Sequence, residues 1–274
     1  MNRQRNHKKK YGLIVPGAVL LAGFIWGAGV SDTWQAQAYA PAEASWTTAE
    51  KGYDINFLRG MFDPATHPDF VKVDASYTER TDFYMHRQAY EAFQQMHAAA
   101  MKEGINLKIV SATRNFYRQK QIWEAKWRGE RLLEGGESAP VAYPDPVQRA
   151  LAILRYSSMP GTSRHHWGTD IDLVALDNAF FEEGEGKRIY TWLIKNASAY
   201  GYCQPYTPKG DERPSGYEEE KWHWSYLPLS TSLTQLAKEQ LRNEDISGFA
   251  GAEAAAAIDV VGRYVLGIHP DCAP

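Results

Sequence analysis

Pro160-Gly161-Thr162-Ser163-Arg164-His165-His166-Trp167-Gly168-Thr169-Asp170-Ile171-Asp172-Leu173 is a polar, histidine-bearing turn that runs into a short alternating strand. A zinc ion takes about four ligands from imidazole, thiolate, carboxylate and water, and a catalytic site leaves one position open to water. His165 or its neighbour His166 offers the imidazole and Asp172 the carboxylate, so the stretch reads as half of a metal site. In a strand, Thr169, Ile171 and Leu173 face the core while Asp170 and Asp172 share the other face. Two carboxylates on one strand face repel each other and are costly to bury without a cation. A metal would resolve that conflict.

The second half lies some fifty residues on, at Glu220-Lys221-Trp222-His223-Trp224. Alternation puts Trp222 and Trp224 on one face and His223 with Ser225 on the other. His223 completes a set of three protein ligands. Glu220, close in sequence and not needed as a ligand, is placed to take a proton from the attacking water, as in zinc proteases.

Together these segments resemble the VanY-like D-alanyl-D-alanine carboxypeptidases, within the wider group of zinc peptidases that includes D-Ala-D-Ala dipeptidases, lysostaphin-type enzymes and the hedgehog fold. The family pattern S-x-H-x-x-G-x-A-x-D followed by E-x-W-H is matched by Ser163, His165, Gly168 and Asp172, then Glu220, Trp222 and His223. One position departs: Asp170 stands where Ala is usual, a second carboxylate expected beside the metal rather than on it. A third landmark, S-x-x-R with a Gln five residues later, is matched by Ser111, Arg114 and Gln119.

The resemblance selects His165 over His166 and implies one Zn2+ per chain, held by His165, Asp172 and His223. It implies Glu220 and Arg114 as the catalytic pair, Arg114 binding a substrate carboxylate or carbonyl and stabilising developing charge, a task suited to a fixed guanidinium. Ser163, Ser111 and Gln119 are the implied substrate contacts. The implied fold is α+β, a small mostly antiparallel sheet carrying the zinc site and flanked by helices, over a motif core of about residues 80–230. The implied substrate is a peptidoglycan stem peptide or its precursor, losing its terminal D-Ala. Two other functions stay open on the same scaffold: an endopeptidase of peptidoglycan, and a non-catalytic zinc-containing domain that binds cell wall or protein. Retention of Glu220, the three ligand types and Arg114 argues against the second.

The chain begins with five basic residues within its first ten, and Tyr11 to Val30 is an uncharged, mostly apolar run. Residues 1–40 therefore read as a signal peptide, with Ala36-Gln37-Ala38 favoured for cleavage over Ala38-Tyr39-Ala40, which Pro41 follows. Left uncut, residues 11–30 are long enough to anchor the protein in a membrane. Either way the rest is expected to be exported, to the periplasm or the extracellular space, as a single domain over 41–274. Loss of residues 1–40, with five basic and one acidic residue, takes the formal net charge from −3 to −7. Such a balance argues against nucleic acid as a partner.

Residues 41–69 read as an arm without clear periodicity. Apolar spacing predicts a helix over 81–103 (Met85, Ala89, Phe93, Met96, Ala100), a strand over 107–110 and a helix from about 116 to 128. Asp145-Pro146 opens another helix, and one over about 186–200 stops at Gly201. The charged, Pro- and Gly-rich stretch 207–216 reads either as a mobile loop that tunes specificity or as a plain solvent-exposed connection. Helical patterns after Ser230 form a C-terminal extension. Trp167, Trp222 and Trp224 are expected to pack around the site. Cys203 and Cys272, the only cysteines, either close a loop of about 70 residues in an oxidising compartment or remain two thiols.

Overall fold

The structure, a computed structural model, describes residues 52–274. The expected signal segment, the two candidate cleavage sites and the expected 40/41 boundary lie outside the described residues. The chain alternates short strands with helices of one to four turns. In order these are α1 (Ile55–Leu58), β1 (Phe70–Lys72), β2 (Tyr84–His86), α2 (Arg87–Lys102), β3 (Ile109–Ser111), α3 (Phe116–Trp127), α4 (Ala139–Ala142), α5 (Pro146–Ile153), β4 (Asp170–Leu173), α6 (Gly184–Asn196), β5 (Tyr202–Cys203), β6 (His223–Tyr226), α7 (Leu227–Gln240) and α8 (Ala254–Ile258). No described helix is long and apolar enough to cross a membrane.

Four strands form one sheet in the order β3-β4-β6-β5, every neighbouring pair antiparallel, and β1 with β2 forms a separate antiparallel ribbon. The α+β architecture expected from the resemblance is the one observed. Ile109, Ile171, Leu173 and Trp224 bury one face of the sheet against Ala89, Phe93 and Met96 of α2 and Ile189 and Leu193 of α6. A second core gathers α3, α5, α7 and α8 around Trp123, Ile153, Leu233 and Ile258. The N-terminal arm enters this second core through Tyr53, Phe57 and Leu58, after Asp54 caps α1 by accepting from the amides of Asn56 and Phe57. Trp167 Nε1 donates to the Leu58 carbonyl at 3.1 Å, so the arm is tied to the histidine turn.

The helix predicted over 81–103 begins six residues late. Tyr84–His86 pairs as a strand with Phe70–Lys72, and the His86 side chain then caps α2 by accepting from the Gln88 amide. Met85 is buried all the same, on the strand rather than the helix. The predicted stop at Gly201 holds: after Asn196 the chain tightens into a 3-10 turn and Gly201 takes φ +77°. Cys203 and Cys272 are paired, 69 residues apart, which fastens the C-terminal tail to β5; in the chain-entropy model a loop of that size stabilises by roughly 4 kcal/mol.

Candidate metal centre

The site forms on the polar face of the β4–β6 pair. Register places Asp172 opposite His223 and Asp170 opposite Ser225. Both carboxylates therefore share one face while Ile171 and Leu173 occupy the other, as alternation requires. Just before β4, residues 164–167 make one 3-10 turn that ends at Gly168 with φ +72°. A Cβ at Gly168 would stand 2.4 Å from the Phe70 ring and 2.8 Å from the His86 amide nitrogen, so only glycine fits there. That turn brings His165 over the strand it precedes.

The two histidines of the turn are both buried and have opposite roles. His166 uses both nitrogens on backbone: Nδ1–H donates to the Arg114 carbonyl, and Nε2 accepts from Gly161 N–H at 3.0 Å. Burial pushes its pKa down to about 3, so the ring is neutral. His165 donates Nδ1–H to the Ala112 carbonyl at 2.9 Å and leaves Nε2 without a hydrogen-bond partner. Asp172 Oδ1 is likewise buried and unpartnered, 3.3 Å from His165 Nε2 and 3.3 Å from His223 Nδ1.

His165, Asp172 and His223 each offer one ligand atom, all within 4.8 Å of one another. Donors bound at about 2.0–2.1 Å around a tetrahedral ion stand roughly 3.3–3.4 Å apart. The two 3.3 Å separations fit that requirement, and a cation would satisfy the orphaned atoms. The donor set of two imidazoles and one carboxylate suits zinc.

Glu220 Oε2 lies 3.0 Å from His223 Nδ1. Burial raises the Glu220 pKa, against the opposing hydrogen bond from His223. Burial also opposes charge on His223, yet hydrogen bonds to Asp170, Asp172 and Glu220 outweigh it and hold its pKa well above the ordinary value. Asp172 shows the converse balance: burial raises its pKa, but His165 and His223 draw it well below the usual carboxylate range.

Arg114 follows β3 and is about a quarter exposed. Its guanidinium donates to Ser111 Oγ at 3.2 Å and stands 3.9 Å from Asp172 Oδ2, while Nε has no partner. Ser163 Oγ is also buried and unpartnered. These groups, with Ser111, line one cleft of about 550 Å³ with the three metal donors and Glu220.

Gln119 stands apart from the other expected substrate contacts. It is buried behind the cleft wall, is not among the lining residues, and donates Nε2 to the Ser158 carbonyl at 2.8 Å. Trp222 lines the cleft, whereas Trp167 and Trp224 pack in the two cores. The stretch 207–216 departs from expectation as well. Its Arg213 is buried and donates to the carbonyls of Thr207, Ser215 and Tyr217, closing the loop on itself, and no residue of it lines the cleft.

The cleft is also lined by residues without a sequence signal, among them Arg80, Lys126, Glu134 and Tyr156. Lys126 lies two helical turns beyond Gln119, a spacing that places both on one face of α3; its ammonium is buried against Glu134 and Ser157 Oγ. Asp170 also has a neutralising partner that was not foreseen. Arg164 Nε stands 3.1 Å from Asp170 Oδ2, both side chains fully buried, so only one of the two strand carboxylates is left for a metal.

Sheet and site together define a protein of the metallopeptidase class: two imidazoles and a carboxylate converging on one point, a buried acid beside them and an arginine facing the same cleft. The chain belongs to the VanY family, D-alanyl-D-alanine carboxypeptidase, whose family model matches residues 82–229. It is 32% identical over 181 residues to YodJ of Bacillus subtilis (strain 168), a protein whose name assigns it provisionally to the carboxypeptidases; the match covers 62% of this chain and 56% of YodJ. It is 36% identical over 84 residues to an uncharacterized protein of Haemophilus influenzae, covering 30% of this chain and 58% of that one. The chain thus spans little more than half the length of these curated relatives. Among solved structures it is similar to VanYB in complex with D-alanine-D-alanine, with TM-score 0.44, 22% identity and coverage of 65% of this chain and 87% of that one. It is also similar to the LdcB LD-carboxypeptidase, with TM-score 0.45, 24% identity and coverage of 64% and 75%.

Proposed function

We propose that this protein is a zinc-dependent D,D-carboxypeptidase that removes the terminal D-Ala from peptidoglycan stem peptides or their precursors. The observation that carries the proposal is the buried pair of orphaned donors, His165 Nε2 and Asp172 Oδ1, with His223 Nδ1 beside them and Glu220 3.0 Å further on. Zinc, when bound by His165, Asp172 and His223, supplies Lewis acidity that polarises the scissile carbonyl and acidifies water.

The chain's own residues do the rest. Glu220 accepts the proton of the attacking water and returns it to the leaving amine, and burial favours the protonated state it must pass through. Arg114, with one side of its guanidinium held by Ser111 and Nε unpartnered, presents donors to a substrate carbonyl or carboxylate. Ser163 Oγ, free in the same cleft, offers a further hydrogen bond.

Export fits this role. Residues 1–40 have the composition of a signal, with residues 11–30 able to act as an anchor if uncut, and the Cys203–Cys272 pair belongs to an oxidising compartment such as the periplasm or cell exterior.

The test is mass spectrometry of a muropeptide ending in D-Ala-D-Ala after incubation with the full chain. Loss of one alanine, stopped by a chelator and restored by zinc, is the expected result. Internal cleavage would replace the proposal by an endopeptidase, and an intact peptide with zinc bound stoichiometrically would replace it by a binding domain.

A further inference from the structure

Resting on the metal centre proposed above, we infer that Asp170, locked by Arg164, is a positioning residue that orients His223 so that Nδ1 faces the ion, and that it thereby tightens metal binding. Strand register sets the geometry. His223 sits across from Asp172 and diagonal to Asp170, so its two ring nitrogens meet different carboxylates. Nδ1 lies 3.3 Å from Asp172 Oδ1, and Nε2 lies 2.9 Å from Asp170 Oδ2. Nδ1 also stands 3.0 Å from Glu220 Oε2, so the two contacts alone do not choose a tautomer; with Nδ1 given to the ion, a neutral imidazole keeps its one N–H on Nε2, where Asp170 Oδ2 accepts it. The lone pair is then left on Nδ1, on the side of Asp172 and Glu220.

The carboxylate doing this is itself immobilised. Asp170 Oδ1 accepts from Thr169 Oγ1 at 2.7 Å and Ser225 Oγ at 2.8 Å. Oδ2 is shared between His223 Nε2 and Arg164 Nε, the latter at 3.1 Å. The remaining Arg164 nitrogens are fixed in turn, Nη1 on Thr234 Oγ1 at 2.8 Å and Nη2 on Ser225 Oγ at 2.9 Å, with the guanidinium 4.7 Å above the Trp167 ring. Thr234 belongs to α7, so a helix from the second core anchors the ring of a ligand carried on the sheet. Outer carboxylates of this kind fix ligand tautomer and raise ligand basicity, and their loss weakens metal binding by about 10–100-fold. Asp170 occupies the motif position at which the family pattern carries Ala.

If Asp170 served only as a counter-ion for Arg164, removing both together would leave the metal untouched. The test therefore uses the double variant R164M/D170A, which avoids stranding a buried guanidinium, and reads zinc affinity by chelator competition together with the imidazole N–H resonances of the zinc-loaded protein. The parent is expected to bind one zinc and to show a slowly exchanging, downfield Nε2–H of His223. The folded variant is expected to bind zinc about 10–100-fold more weakly and to lose that resonance. Affinity within about twofold of the parent would overturn the inference while leaving the metal centre standing. Should the variant not fold, the parent spectrum decides, since a His223 without a hydrogen-bonded Nε2–H also overturns it. A parent that takes up no zinc would remove the metal centre itself, and this inference with it.

Discussion

The two faces of the β4–β6 pair are built from alternate residues of the same eight-residue ladder and behave as different materials. On one face Ile171, Leu173 and Trp224 join α2 and α6 in a packed apolar core. On the other, Asp170, Asp172, His223 and Ser225 form a polar layer in which Asp172 Oδ1 is left unpartnered, facing the equally unpartnered Nε2 of His165. The apolar face has no orphaned polar group to explain and contributes stability. The polar face keeps buried donors unpaired, a cost that an ion is suited to offset. A residue's contribution here follows from its parity along the strand, so substitutions on the two faces should separate chemistry from stability.

The largest effect belongs to the polar side. Glu220→Gln should lower turnover by about 10²–10⁴-fold while one zinc per chain remains bound, checked by muropeptide hydrolysis and metal analysis. Undiminished hydrolysis in that variant would break the assignment of proton transfer to Glu220. On the apolar face, Leu173→Ala should cost about 2–5 kcal/mol in denaturant unfolding with zinc affinity unchanged, because Leu173 is fully buried and only packing is lost. A parallel loss of zinc affinity would show that the faces are not independent.

A smaller effect distinguishes the neighbouring histidines. The His166 pKa is about 3 in the folded protein against an ordinary 6.5, because burial disfavours its charge. Between those values the unfolded chain binds more protons than the folded one, so stability rises with pH. Acidification from 6.5 toward 3 should therefore cost up to about 1.4 kcal/mol per pH unit through this group. His166→Gln, whose amide can still donate to Arg114 and accept from Gly161, should show a shallower acid decline than the parent and an unchanged zinc content, measured by unfolding at a series of pH values. An identical pH slope in the two proteins would contradict the assignment.

Much of the polar layer was legible in the sequence because its members sit within short windows: His165 and Asp172 seven residues apart, Glu220 and His223 three apart, each on a recognisable period. The stop at Gly201 could be read for the same reason, whereas the α+β class rested on the resemblance, because helices alternating with short strands are equally compatible with a parallel α/β sheet. What could not be read depends on contacts between distant residues. Arg164 reaches Thr234 across 70 positions, and the Leu58 carbonyl meets Trp167 across 109, so neither the neutralisation of Asp170 nor the place of the N-terminal arm leaves a local signal. The conflict between Asp170 and Asp172 was correctly inferred from strand alternation, with Asp170 expected beside the metal rather than on it, but the arginine that neutralises it, six residues away across the turn, carried no periodic signal. The stretch 207–216 misled in the opposite direction: its composition is that of an open loop, yet one buried arginine binds three of its neighbouring carbonyls.

The central claim is that one ion is held by His165 Nε2, Asp172 and His223 Nδ1. Anomalous diffraction at the zinc absorption edge, from crystals of the protein grown with zinc, tests it most directly. The account predicts a single strong peak within about 2.0–2.2 Å of those three donors, with His223 bound through Nδ1 and its Nε2 turned to Asp170. A peak at other residues, or His223 bound through Nε2, would contradict it.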